Sequence, residues 1–103
     1  QFAPGEYFVR LRGIPFSCRE REVNDFFMQA NVAPMGISLV YNARDAPTGE
    51  AFVEFGNGED LQRGLNLNRQ MMGQRYIEVF RSTRQEALSA LGMTGGGGYG
   101  MDA

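Results

Sequence analysis

The stretch Thr48-Gly49-Glu50-Ala51-Phe52-Val53-Glu54-Phe55 constrains the fold more than any other part of the chain. Ala51, Val53 and Phe55 alternate with Glu50, Phe52 and Glu54. A period of two sends successive side chains to opposite faces of a strand, so the small and apolar set is expected to be buried and the other set open. The segment is expected to be the central strand of a sheet.

Residues 1–6, with Pro4 and Gly5, read as a flexible leader. Residues 7–12 alternate again, with Val9 and Leu11 directed to a core and Phe8, Arg10 and Arg12 to the other side, which predicts a first strand. Pro15 ends that strand region, because it has no backbone donor and disfavours helix in the residue before it. Ser17 and Glu20 have the spacing of a capping box, and Val23, Phe26, Phe27 and Ala30 follow at helical spacing, which predicts a helix over 18–30. Residues 31–34 break it. Residues 36–42 read as a second strand with Ile37, Leu39 and Tyr41 on one face, joined by a polar turn to the central strand as a hairpin. Asn57 and Asp60 signal a second helix whose face holds Leu61, Leu65, Asn68 and Gly64, the glycine suiting close packing of helix on sheet. Residues 71–74 read as a short ribbon or turn before a last strand over 75–81, where Ile77 and Val79 alternate with Tyr76, Glu78 and Phe80. The order β-α-β-β-α-β predicts an α+β, ferredoxin-like fold, a four-stranded antiparallel sheet with two helices on one face. Thr83 and Glu86, then Ala87, Leu88 and Leu91, predict a short third helix lying on or beside the open face near Phe8, Val40, Phe52 and Phe80. The domain is expected over 7–91, with a Gly-rich flexible tail or linker over 92–103.

Composition narrows the function. The 103 residues suit one domain, and no run approaches the ~18 apolar residues of a membrane span, so a soluble, intracellular protein is expected. Cys18 is the lone cysteine and lacks partners for a disulfide or metal site, so a small buried role is expected for it and no cofactor is expected. A net charge of −2 argues against strong nonspecific attraction to phosphate backbones. All ten basic residues are Arg. The planar guanidinium fork binds base edges bidentately and stacks on bases, whereas Lys acts as a point charge.

The central strand fits the RNP1 octamer of RNA-recognition motifs at Gly49, Ala51, Phe52, Val53 and Phe55, but Thr48 and Glu50 stand where that motif has a basic and an aromatic residue. Arg10 takes the place of the usual aromatic on the first strand, so of the familiar stacking positions only Phe52 remains. Carboxylates repel phosphate and can pair with Arg on neighbouring strands, which makes the sheet centre a poor RNA site. Better candidates lie at one rim. Antiparallel pairing of the first and last strands sets the end of one beside the start of the other, bringing Arg12 and Phe16 near Arg75 and Tyr76. Two guanidinium groups and two rings can sandwich unpaired bases, and Arg favours the O6 and N7 acceptors of guanine. Structural roles stay open for each: Phe16 as a helix staple, Arg12 as partner of Glu54 or Glu78, Tyr76 as sheet packing.

Three segments, residues 9–16, 49–54 and 73–80, closely resemble the quasi-RRM domains of the heterogeneous nuclear ribonucleoprotein F/H family, which includes the G-rich-sequence factor and the epithelial splicing regulators. The resemblance spans about residues 7–91. It implies binding of single-stranded G-tracts through loops, protection of those tracts from quadruplex folding, and a part in pre-mRNA splicing or other mRNA processing and stability control. It also implies a monomeric unit of a multidomain, nuclear and also cytoplasmic protein, with other RNA-processing proteins as further partners and no membrane. Carried over by position, the RNA-binding residues are Arg12, Phe16, Arg75 and Tyr76, with Arg10 and Arg44 as further guanidinium groups. The family commonly has Trp where Phe16 stands, and Arg where Ala46 and Pro47 stand, so Arg44 substitutes from a shifted place.

The same fold supports small phosphatases, yet the chain has no His, no paired catalytic carboxylates and no Gly-rich phosphate cradle after the first strand, so no enzymatic activity is expected. The alternative is an RRM that has exchanged RNA for a peptide or helix partner, as Glu50 and the missing aromatics suggest.

Overall fold

A computed structural model describes residues 7–92; the expected leader and nearly all of the expected Gly-rich tail lie outside the described residues. The elements are β1 (Phe8–Arg12), α1 (Glu20–Met28), β2 (Gly36–Tyr41), β3 (Pro47–Glu54), α2 (Gly58–Leu65), β4 (Met71–Met72), β5 (Arg75–Tyr76), β6 (Glu78–Ser82) and α3 (Arg84–Ala90). The main sheet runs β2-β3-β1-β6 with every pairing antiparallel, and β4 and β5 form a separate two-stranded ribbon. This is the ferredoxin-like architecture expected from the element order.

The core forms where the two periodicities meet. Leu11 lies opposite Ala51 on one side and Val79 on the other, so the apolar positions of three strands share one face. Val23, Phe26 and Phe27 of α1 and Leu61 of α2 cover it. Phe27 meets Phe26 and Phe55 edge to face at centroid distances of 5.3 and 5.2 Å. Gly64 makes that packing possible: a Cβ there would stand 2.8 Å from Phe55 Cζ and 3.3 Å from Phe27 Cε1. Both rings are fully buried and cannot retreat cheaply.

The opposite face is covered as well. Thr83 caps α3 by accepting from the Glu86 N–H at 3.1 Å, and the Ser82 hydroxyl donates to the Glu86 carboxylate at 2.7 Å. These bonds fold the chain back so that Ala87 and Leu91 pack on Phe8, Phe52 and Val40. Phe52 and Glu54, expected on an open face, are therefore only 4% and 5% exposed.

Two further expectations are corrected. The first helix starts at Glu20 and not at Cys18, because a turn closed by the Cys18 N–H and the Pro15 carbonyl at 2.9 Å holds Ser17 outside the helix. Glu22 provides the cap in place of Glu20: its carboxylate accepts from the Arg19 N–H at 2.8 Å, and that bond holds the carboxyl below its ordinary range. The last strand is not continuous over 75–81. The ladder with β1 begins at Glu78, while the Ile77 backbone turns to residues 69 and 70, donating to Gln70 O at 2.9 Å and accepting from Arg69 N at 2.7 Å. Tyr76 thus belongs to the ribbon and not to the sheet face. Cys18 is buried as expected, with Sγ 3.7 Å from Met72 Sδ, and burial pushes its thiol pKa up.

Gly64→Ala is expected to destabilise the domain. Forcing a methyl group into a filled core costs roughly 1–3 kcal/mol, more than the gain of up to ~1 kcal/mol in helix propensity near a helix end. Chemical denaturation should show a lower midpoint with an unchanged slope; a midpoint at or above wild type would mean that the aromatic cluster relaxes freely.

Candidate nucleic-acid interface

The exposed remainder of the sheet face is a ladder of opposite charges. Arg10 stands between Phe52 of β3 and Phe80 of β6 in register, and Arg12 between Glu50 and Glu78. The Arg10 guanidinium lies 4.7 Å from the Phe80 ring centroid and 3.7 Å from the Glu50 carboxylate. Arg12 reaches the same ring from 5.6 Å, while its Nε donates to Glu78 Oε1 at 2.7 Å. Part-exposed contacts of these kinds each contribute only about 0.5–1 kcal/mol, so their effect is orientation more than stability. Arg12 is held through Nε alone, and its two Nη groups make no hydrogen bond among the described residues. That leaves the bidentate edge of the guanidinium available.

Beyond the end of β1 the backbone gathers the loops. Gly13, at φ +92°, comes so close to the ribbon that a Cβ would lie 2.9 Å from the Tyr76 carbonyl oxygen. The Gly13 and Ile14 N–H groups both donate to the Gly49 carbonyl, at 2.9 and 3.1 Å. Gly49 also has a left-handed φ of +84°, and its missing side chain makes room for the Phe16 ring, whose Cε1 lies 3.5 Å from where a Cβ would be. Both glycines occupy conformations that an L side chain adopts only with strain.

Arg12, Phe16 and Tyr76 are therefore brought to one end of the sheet, with Arg75 beside Tyr76 on β5. Phe16 is 64% exposed and Tyr76 67%, so neither acts as a core or staple residue. Arg75 is exposed and makes no ion pair among the described residues, whereas Arg12 takes the Glu78 partnership that its position allows. Arg44 stands apart from this group. It occupies the turn between β2 and β3, where Asn42 Oδ1 accepts from the Arg44 and Ala46 N–H groups at 2.8 and 3.1 Å. That turn extends from the same end of the sheet, but β3 and β1 separate it from the ribbon side. Arg10 stays on the sheet over Phe80. The platform role of Phe80 was not foreseen from the sequence; its signal was the alignment of an aromatic residue opposite Arg10 once the strands are paired.

Comparison with known proteins bears on the family and the fold. A family model described as RRM domain matches residues 9–97. Heterogeneous nuclear ribonucleoprotein H of Rattus norvegicus is 44% identical over 79 residues, covering 77% of this chain and 18% of that protein. Heterogeneous nuclear ribonucleoprotein F of Bos taurus is 43% identical over 82 residues, covering 80% and 20%. The chain thus spans about a fifth of the length of these relatives. Among solved structures, the Glorund qRRM2 domain superposes with a TM-score of 0.76 at 38% identity, covering 81% of this chain and 96% of that one. The G-rich RNA sequence binding factor 1 from Homo sapiens superposes with a TM-score of 0.70 at 30% identity, covering 77% and 82%. By its sequence, its sheet order and these relatives, the chain belongs to the RRM domain family, as a homologue of heterogeneous nuclear ribonucleoproteins F and H with the quasi-RRM architecture.

Proposed function

We propose that this domain binds guanine-rich single-stranded RNA at the loop rim, through Arg12, Phe16, Arg75 and Tyr76, and serves pre-mRNA splicing or other mRNA processing in the nucleus. The family is non-enzymatic, so the function is one of binding. The observation that carries the reading is an inversion of exposure. Phe52, the RNP1 aromatic, is buried under α3, while Phe16 and Tyr76 stand open beside guanidinium groups. Bases therefore have rings to stack on at the rim and none at Phe52. Each base-aromatic stack contributes roughly 1–3 kcal/mol, and a bidentate Arg on guanine O6 and N7 adds selectivity of similar size.

The binding factor from Homo sapiens, whose name specifies G-rich RNA, supports the choice of base by kinship. So does the charge balance: with a net charge of −2, affinity has to come from local base contacts more than from the long-range field. Arg10 and Arg44 have the lesser part, Arg10 because Glu50 and Phe80 engage it and Arg44 because it lies across the sheet end from Tyr76.

Titration of a G-tract oligonucleotide against an A-tract of equal length, followed by fluorescence anisotropy at low salt, is expected to show preference for the G-tract. Arg75→Ala and Tyr76→Ala should each lose on the order of 1–3 kcal/mol of that affinity. If neither oligonucleotide binds and a helical protein partner does, the domain is an interaction module instead. Phe52→Leu should separate the two faces: it is expected to cost about 1–1.5 kcal/mol of stability by loosening the packing under α3, yet leave G-tract affinity within twofold of wild type. Amide shifts on RNA addition that centre on Phe52 and spare Gly13 and Tyr76 would refute the rim assignment.

A further inference from the structure

The rim is not the only place where an exposed ring stands beside guanidinium groups. Tyr41, at the end of edge strand β2, is 48% exposed. It borders an open groove of about 310 Å3 whose other walls are Leu39 and the start of α1, with Arg19, Glu20 and Arg21. Arg19 and Arg21 make no ion pair among the described residues. Glu20 lines the groove, and the Glu22 carboxylate, which accepts from the Arg19 N–H, stays ionised close enough to Arg19 and Arg21 for both to help hold its pKa down. Two cations thus stand among two carboxylates, and phosphate is drawn by direct contact with the exposed guanidinium groups and not by net charge.

The groove also joins the rim. A smaller hollow, whose lining includes Pro15, Leu39, Tyr41, Pro47, Gly49 and Glu50, shares Tyr41 and Leu39 with it; Glu50 is engaged by Arg10 at 3.7 Å. Gly49 lies against the Phe16 ring as well, so this hollow and the rim share Gly49. The bulge in the pairing of β2 with β3 between Leu39 and Tyr41 lies at this hollow and breaks the alternation of the strand where Tyr41 emerges.

We propose that this groove takes the RNA segment flanking the G-tract, one base stacking on Tyr41 while Arg19 and Arg21 hold the adjoining phosphates. The proposal rests on the rim reading above and extends it: the rim selects guanine, and the groove adds length and salt dependence without base preference. A stacking ring accepts any base, because every base has a π-face. Phosphate contacts give affinity that falls with salt.

The test compares two RNAs against the wild-type domain, a G-tract bounded by single adenosines and the same tract with four further adenosines on each side. The longer RNA is expected to bind about tenfold tighter, with a steeper salt dependence by one to two phosphates. Tyr41→Ala and the double variant Arg19→Ala/Arg21→Ala should each erase most of the gain from length while leaving affinity for the short RNA unchanged. Tyr41→Phe should keep the gain. All these positions are exposed, and melting curves check that each variant is folded. Equal binding of both RNAs by the wild type, or a gain from length that survives in Tyr41→Ala, overturns the groove while the rim stands. Failure of both RNAs to bind the wild type overturns the rim reading, and the groove falls with it.

Discussion

The burial of β3 on both faces is the constraint on which the remaining structure depends. On one side Ala51 and Val53 are fully buried and Phe55, just past the end of the strand, packs edge to face with Phe27 at 5.2 Å, a contact that Gly64 admits by having no side chain. On the other, Phe52 lies beneath Ala87 and Leu91 of α3. A strand shielded in this way cannot offer its aromatic residue to a ligand without losing the packing of the third helix. The surface that an RNA-recognition sheet would ordinarily present is thereby converted into a second, smaller core.

What remains of that sheet face is electrostatically self-satisfied. Glu50 and Glu78 stand beside Arg10 and Arg12, and Phe80 lies under both guanidinium groups. Acids in this position repel a phosphate chain, so the arginines are held in place more than they are offered to solvent. Arg12 is the exception, because engagement through Nε leaves its outer edge unbonded at the margin of the sheet. The same residue thus closes the flat face and opens the rim.

Two glycines then decide what stands at that rim. Gly13 and Gly49 adopt left-handed conformations and lock the loop after β1 to the start of β3 through a shared carbonyl. The close approach at Gly13 brings the β5 ribbon alongside, and the space at Gly49 seats Phe16. Backbone geometry at these two glycines thus sets where Phe16 and the backbone of Tyr76 stand.

Much of this was legible in the residues themselves. The alternation at residues 50–55 and 8–12, the helical spacing of Val23, Phe26 and Phe27, and the caps at Asn57 and Thr83 determined the element order, because local periodicity and capping chemistry act within a few residues. The acids at Glu50 and Glu78 were legible as a feature that repels a phosphate chain from the sheet centre, and the use of Arg without Lys as one suited to base edges. Other features depended on the assembled chain. The helix N-cap moved from Ser17 to Arg19 because the turn at Pro15 competed for the same residues, and the last strand divided at Ile77 because its backbone found partners at Arg69 and Gln70. The burial of Glu54, the sharing of Phe80 by two arginines and the approach of Tyr76 to Gly13 all join residues far apart in sequence. The sequence by itself determined which segments become strands and helices and which chemistry they carry; tertiary structure alone decided which rings are covered and which stand open, since exposure depends on what the distant parts of the chain leave uncovered once they have packed.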